Sequence, residues 1–327
     1  MKNHAVPTMR DVAREAGVAI GTVSKVFNQQ SVGEPYRRRV LEAAEKLGYS
    51  VNSYARGLRS GKSSTVALIL PDLQDLFLTN LALQVCDALA RRDCRMLLFL
   101  THESEAEEQR CLRLARAHNV DGVIALCSSQ FSENENLVYI DSSLSPTHPC
   151  VSSDNYGGGQ LAAQTLRDLG CMHLLGLQLC SPGPGERQKR IQGFEFACRA
   201  MGMDHELCWN SENDEELIWS CLEGHLHNGT FDFDGVFCGS DELAYQVKSW
   251  LRENGVAVPE QVQIIGYGGL QPPGLSNIFC STIRQPVREM AEKAVELVLG
   301  TGKTVPYSVC LSVSFLPGGT TKGRQEP

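Results

Sequence analysis

Between Ile20 and Lys25 the chain sets an isoleucine, a glycine, two hydroxyls and a cation on consecutive turns: Ile20, Gly21, Thr22, Ser24 and Lys25. Hydroxyls can reach phosphate oxygens, a lysine ammonium can reach a guanine edge, and an isoleucine offers an apolar contact such as a thymine methyl takes. A little further on, Arg37, Arg38 and Arg39 stand in a row, suited to neutralising backbone phosphate. Together they form a surface for a DNA groove. Catalytic patterns do not accompany them: there is no G-x-S-x-G, no P-loop and no paired metal ligands. No catalytic residue, cofactor or metal is expected. The 13 cysteines are scattered, without C-x-x-C spacing, and Cys94, Cys127, Cys238 and Cys280 sit in or beside apolar segments. They read as reduced thiols packed as small hydrophobes. His225 and His227 read as a solvated helix end.

The elements that must position this surface are legible. Thr8-Met9-Arg10-Asp11 resembles a capping box and predicts a helix from about Met9, with Val12, Ala13 and Ala16 inward. Gly17 supplies the left-handed turn. A second helix is predicted over Ile20–Phe27, with Val23 and Val26 inward. A third follows Val32-Gly33-Glu34-Pro35, with Val40, Leu41, Ala44 and Leu47 inward and Gly48 closing it. Three short helices with a tight turn between the first two make a helix-turn-helix, whose second helix enters the major groove. Charge agrees. Residues 1–60 hold ten Lys and Arg against five Asp and Glu, whereas the rest holds 20 against 33. A basic head on an acidic body suggests an anionic partner for the head alone.

Within the 327 residues no 18-residue apolar stretch occurs, and MKNHAVPTMR has no apolar signal region, so a cytoplasmic, non-membrane protein is expected. Beyond residue 63 apolar runs alternate with amphipathic helices. VALILPD, CRMLLFL, VDGVIAL and LVYIDS form a first series, and HLLGLQL, DGVFCGS and VQIIGYGG a second that begins near VSSDN. Helices are predicted near Thr79–Arg91, Ser104–His118, Gly158–Leu169, Glu186–Met201, Glu215–His227, Asp241–Asn254 and Val287–Leu299. Such alternation means parallel sheets with helices on both faces, here in two lobes with a ligand cleft between them. The polar, Gly-rich segment from Leu316 onward has no leucine heptads, which argues against a tetramerising coil.

Met9-Arg10-Asp11-Val12-Ala13, Ala16-Gly17-Val18, Thr22 to Asn28, Leu47-Gly48-Tyr49, Asn52 and Ala55-Arg56-Gly57-Leu58-Arg59 resemble the DNA-binding head of the lactose-repressor (LacI/GalR) family. The likeness continues through VALILPDLQDLF, Val120 to Ile124, Val151 to Tyr156, Arg190 to Phe194, Phe237 to Ala244, Ile265-Gly266-Tyr267 and Arg284-Gln285-Pro286. It implies an α + α/β protein: a helix-turn-helix head over 1–50, a hinge helix or linker over 51–62, and a two-lobed, periplasmic-binding-protein-like body over 63–327 that binds an effector and dimerises. It implies a repressor that binds a near-palindromic double-stranded operator as a homodimer. Asn28, Asn52, Arg56 and Leu58 join the DNA contacts, with Leu58 as a minor-groove wedge. SSDNYGGGQLAAQTL and FDGVFCGSDELA are most similar to members that answer to sucrose, raffinose or ribose-type sugars.

The resemblance also implies effector residues: Asp72 and Phe77 from the first strand and loop, Asp141, Arg190 and Asp241. Asp141 and Asp241 would accept sugar hydroxyls, Arg190 donate and Phe77 stack. Capping is the competing role for Asp72, Asp141 and Asp241, and a surface ion pair for Arg190. Asp154-Asn155 and the three glycines after Tyr156 suit a lobe crossing and close packing better than phosphate binding. Several positions depart from the family pattern: Gly268 where an Asp usually stands, Ser142 for Arg, Leu76 for Pro, Cys171 for His, Val51 for Pro and Ala19 for Ser. The loop Ser181 to Gly185, beside Arg187, Lys189 and Arg190, also suits a phosphorylated sugar. A sugar-binding protein without a DNA role, and a regulator answering a non-sugar effector, remain alternatives.

Overall fold

The structure is a computed structural model that describes residues 7–28, 30–49, 63–127, 129–132, 136–142, 148–179, 185–210, 215–269, 279–300 and 308–323. The chain divides into two compact units, 1–63 and 64–327.

In the first unit, α1 (Met9–Ala16), α2 (Ile20–Phe27) and α3 (Glu34–Leu47) surround a core of Val12, Ala13, Ala16, Val23, Val26, Val40, Ala43 and Ala44. The Asp11 carboxylate starts α1 by accepting the Thr8 amide at 2.9 Å and the Thr8 hydroxyl at 2.6 Å. Those bonds hold its pKa below the ordinary value. Gly17, at φ 61°, ends α1, and the Arg39 guanidinium donates to its carbonyl at 3.4 Å. α2 starts without a side-chain cap, because Ala19 stands at that position. One expectation fails here. Leu41 is 47% exposed, since the inward stripe of α3 runs through Val40, Ala43 and Ala44 and Leu41 lies about 100° around the helix from Val40.

The second unit holds two parallel-sheet lobes. The first contains β1 (Thr65–Leu70), α4 (Leu76–Ala90), β2 (Arg95–Leu100), α5 (Glu105–Ala117), β3 (Gly122–Ala125), β4 (Leu137–Ile140) and β5 (Cys150–Ser153). The chain then passes to the second lobe through α6 (Asn155–Asp168), β6 (His173–Leu179), α7 (Gln188–Met201), β7 (Asp204–Asn210), α8 (Glu215–Gly224), the small hairpin β8 (Leu226–His227) and β9 (Thr230–Phe231), β10 (Gly235–Cys238), α9 (Asp241–Glu253), β11 (Gln263–Gly268) and β12 (Ser281–Arg284). It returns to the first lobe with α10 (Val287–Leu299) and β13 (Ser308–Leu311), and crosses once more to β14 (Ser314–Leu316). The sheet orders are β13-β5-β4-β3-β1-β2 and β14-β12-β11-β10-β6-β7. Every described pairing in them is parallel except β12 with β14. The chain therefore crosses between lobes three times, after β5, after β12 and after β13.

Each lobe has apolar layers on both sheet faces. α4 and α10 cover one face of the first sheet with Leu78, Leu81, Val85, Met290, Ala294 and Val298, over Val66, Leu68 and Leu70. In the second lobe α6 and α7 cover one face and α8 and α9 the other. Five strands, β7, β8, β9, β13 and β14, lie outside the runs expected from sequence, as does most of β12. α4 begins three residues earlier than expected because Asp75, not a later residue, caps it, accepting Phe77 N at 2.7 Å. α8 ends at Gly224, so His225 stands at the helix end as expected, whereas His227 lies in the hairpin strand β8.

Candidate functional site

The face expected to read DNA lies on α2. Val23 and Val26 turn into the head core, so the opposite side of the same short helix is left to solvent. Ile20 is 44% exposed, Gly21, Lys25 and Asn28 are exposed, and Thr22 and Ser24 are half-buried. Nothing crowds the Gly21 Cα, and the Asn28 amide donates to the Ser24 hydroxyl at 3.3 Å. Of the three arginines that open α3, Arg39 is turned to the Gly17 carbonyl and Arg38 lies 3.7 Å from Glu42. Arg37 is exposed at the start of α3, beside Tyr36, an exposed aromatic that sequence reasoning passed over. Asn52, Arg56, Leu58 and Val51 lie outside the described residues.

In the body two of the candidate effector residues, Arg190 and Asp141, gather where the chain crosses between lobes. Arg190, on the first turn of α7, is 4% exposed. Its Nε donates to Asn155 Oδ1 at 2.8 Å, Nη1 to the Gly239 carbonyl at 2.8 Å and Nη2 to Gln285 Oε1 at 3.4 Å. The guanidinium lies 3.9 Å from the centre of the Tyr267 ring. Burial lowers the Arg190 pKa and drives up that of Tyr267, yet arginine stays charged. Asp141, at φ 42° after β4, accepts Ser153 N at 3.1 Å, Asn155 Nδ2 at 3.4 Å and Gln285 Nε2 at 3.3 Å. Burial raises its pKa against the pull of Arg190. Gln285 also donates to Ser153 Oγ at 2.8 Å. Asn155 and Gln285, on two of the crossings, thus join Asp141 of the first lobe to Arg190 of the second. Sequence reasoning gave Asn155 a lobe-crossing role, without its partners, and did not single out Gln285, whose only signal was its place within Arg-Gln-Pro.

Glycines set the height of this network. A methyl at Gly159 on α6 would run into the Arg190 carbonyl, and one at Gly193 on α7 would run into the Tyr156 carbonyl. α6 and α7 therefore meet backbone to backbone. This is the close-packing role, and it leaves no cradle for phosphate at the glycine run. Gly158 likewise admits the Tyr267 ring.

The remaining expected effector residues behave differently. Phe77 is 6% exposed and belongs to the first lobe's core, so it presents no ring face for stacking. That expectation is corrected; on α4 it is Leu76 that is exposed instead. The Asp72 carboxylate is taken by a local turn, accepting Gln74 N at 2.7 Å and Asp75 N at 3.3 Å. The helix cap is Asp75, whose carboxylate also pairs with Arg187 from the other lobe. A second strut lies beside it, from Leu76 N to Glu242 Oε1 at 3.3 Å. Asp241 is 1% exposed and is not a cap, a task that Ser240 performs. It accepts the Gly269 amide at 2.8 Å. Gly268 at φ 140° and Gly269 at φ 82° make the turn that delivers that amide. An aspartate side chain at 268 would be strained there, which accounts for the departure at this position. Gln178, buried on β6 beside Gly239, keeps its side-chain oxygen without a hydrogen-bond partner. Of the loop over 181–185, residues 181–184 lie outside the described residues. No helix among the described residues is long and apolar enough to cross a membrane.

Comparison with known proteins decides the family. Residues 8–52 match the bacterial regulatory proteins of the lacI family, and residues 163–321 match the periplasmic binding protein-like domain. The chain is 31% identical to the ribose operon repressor of Bacillus subtilis over 96% of its own length and 98% of that protein's. It belongs to the lacI family of bacterial regulatory proteins. A further lacI-family relative, the sucrose operon repressor of Streptococcus mutans, is 26% identical over 96% of this chain and 99% of its own. The lac repressor dimer bound to operator and the anti-inducer ONPF shares the fold, with a TM-score of 0.82 at 18% identity over 98% of this chain and all of that one. The CelR–cellobiose complex superimposes with a TM-score of 0.62 at 25% identity, over 96% of this chain and 99% of that one.

Proposed function

We propose that the chain represses transcription of sugar-utilisation genes in the cytoplasm. It binds a near-palindromic operator as a homodimer and responds to a sugar or sugar phosphate held between the two lobes of its body. The observation that carries this reading is the uncovered face of α2, from Ile20 to Asn28, on a helix whose other side is core. Thr22, Ser24, Lys25 and Arg37 take phosphates and base edges. Asn52, Arg56 and Leu58 complete the contact in the minor groove, as the motif around them implies. The names of the relatives, repressors of ribose and sucrose operons, support a sugar as effector.

At the effector site Arg190 uses three of the five N–H donors of a guanidinium on the protein and keeps two for a ligand. Asp141, Asp241 and Asp72 line the same lobe-facing edges and act mainly by shaping them. A second copy seats against the open edge strand β2 of the first lobe, where Leu98 and, on α4, Leu83 stand exposed.

The test is to recover genomic fragments that the purified protein retains, and to repeat the selection with Lys25→Ala and Arg190→Ala. A palindromic site beside sugar-uptake or catabolic genes is expected for the parent protein. Lys25→Ala should lose affinity or relax the site, and Arg190→Ala should retain the fragments but no longer release them with the cognate sugar. Retention of no fragment at low salt, with or without added sugars, would overturn the proposal.

A further inference from the structure

Away from the cleft, on the outer edge of the second lobe, two cysteines face each other. Cys208 lies on β7, the edge strand of its sheet, and Cys221 lies on α8, which packs against that strand. Cys208 Sγ is 3.5 Å from the Leu217 carbonyl oxygen. In an α-helix the residue four places on closes its turn against that carbonyl, and here that residue is Cys221. The two thiols are therefore neighbours, and each shifts the titration of the other. Cys208 is buried and Cys221 is half-exposed, so one sulfur of the pair is open to a small solute.

We propose that Cys208 and Cys221 are a peroxide-sensitive dithiol that closes to a reversible disulfide, clamping α8 to the edge strand β7. Such a bond requires two sulfurs whose carbons approach closely, and the contact of Cys208 with the Leu217 carbonyl, one turn before Cys221 on α8, brings the two side chains together. Reactivity falls on Cys221. The neighbouring Cys208 thiol holds that of Cys221 down, to about 7, aided by His225 and opposed by burial and by Glu206. His225 is itself placed by Glu206 at 3.3 Å and Asp232 at 3.1 Å. Burial pushes up the thiols of Cys111, Cys150, Cys171, Cys198 and Cys280, which keeps them protonated and inert.

The chemistry balances with hydrogen peroxide as oxidant. The Cys221 thiolate attacks one peroxide oxygen and the O–O bond breaks, giving a sulfenic acid and a hydroxide that takes up a proton. The Cys208 sulfur then attacks the Cys221 sulfur, the S–S bond forms, and the sulfenic oxygen leaves as water with the proton of Cys208. Two thiols lose two electrons and one peroxide becomes two waters. A dithiol reductant reverses the bond.

The test uses the full-length protein, treated with one equivalent of hydrogen peroxide, blocked with N-ethylmaleimide, digested and analysed by mass spectrometry. A peptide pair joined through Cys208 and Cys221 is expected, released by dithiothreitol, with the other cysteines alkylated. The rate of linking should fall about tenfold per unit below pH 7, as the thiolate population does. Cys208→Ser should leave a sulfenic acid at Cys221 that dimedone traps. Cys221→Ser, at the more exposed position, should abolish the link in a chain whose circular dichroism is unchanged. Oxidation that falls first on Cys86 or Cys310, or a linking rate that is flat from pH 6 to 8, would overturn the proposal.

Discussion

Arg190 is held by so many partners that its position is a property of the protein before any ligand arrives. The device behind this is a pair of glycines. Gly159 lets α6 approach the Arg190 carbonyl directly, and Gly193 does the same for Tyr156. Gly159→Ala should therefore cost about 1–3 kcal/mol, as overpacking of a close contact does. It should also weaken effector binding although it touches no ligand. Urea unfolding and titration calorimetry on the same sample check both. Asp141 gives a pH signature. Its folded pKa is raised by burial, so the folded chain holds this proton more tightly than the unfolded chain. The stability contributed by this group is present below the ordinary carboxyl value and is lost as pH rises through the raised one. Asp141→Asn should remove that dependence: the difference in urea midpoint between variant and parent should change across the acid window and flatten at neutral pH.

Between elements, two struts cross the cleft. Asp75 caps α4 in the first lobe and pairs with Arg187, which precedes α7 in the second, while Glu242 of α9 accepts Leu76 N. A partly exposed ion pair is worth about 0.2–1 kcal/mol. Arg187→Gln should therefore shift effector affinity by about two- to fivefold and leave operator affinity of the ligand-free protein within a factor of two. Effector titration and operator gel-shift measured together separate the two. Helices and central strands were legible because their patterns follow burial directly. β1, β6 and β11 are continuous apolar runs buried on both faces. β7, β13 and β14 were not legible, since sheet-edge strands are half-exposed and carry mixed side chains. β12 hid for another reason. Its Ser281 and Thr282 are buried, and Ser281 is satisfied by Thr320 and Thr321, at 2.8 and 2.6 Å, so a buried strand there has no apolar run. Within the site, Arg190 and Asp141 stood on readable motifs. Asn155 and Gln285 also stood within motifs, but their partnership was not legible, because only the crossings bring them together. Phe77 misled: a ring beside a loop reads as a platform, whereas the cap at Asp75 turns it into the core.

Across the whole molecule, charge is segregated by task. The basic excess lies within residues 1–60 and the acidic excess in the rest. Operator affinity should fall linearly with salt on logarithmic axes, while effector affinity barely responds, since only the first releases counterions. Arg37→Ala removes one phosphate contact from each subunit of the dimer, so it should reduce that slope by about two and lower affinity evenly across operator sequences. Fluorescence anisotropy at graded potassium chloride checks the slope. The threefold crossing has a consequence for how the protein is made. The head is synthesised first and needs nothing further along the chain for its own core. Neither lobe is so placed: the first lacks α10 and β13, and the second lacks β14, until residues 287–316 have been translated. Both sheets then finish almost together, each by adding an edge strand. A chain stalled before that point presents two open sheet edges at the ribosome, so the interval in which it needs a chaperone is set by the timing of its last strands and not by the size of either lobe.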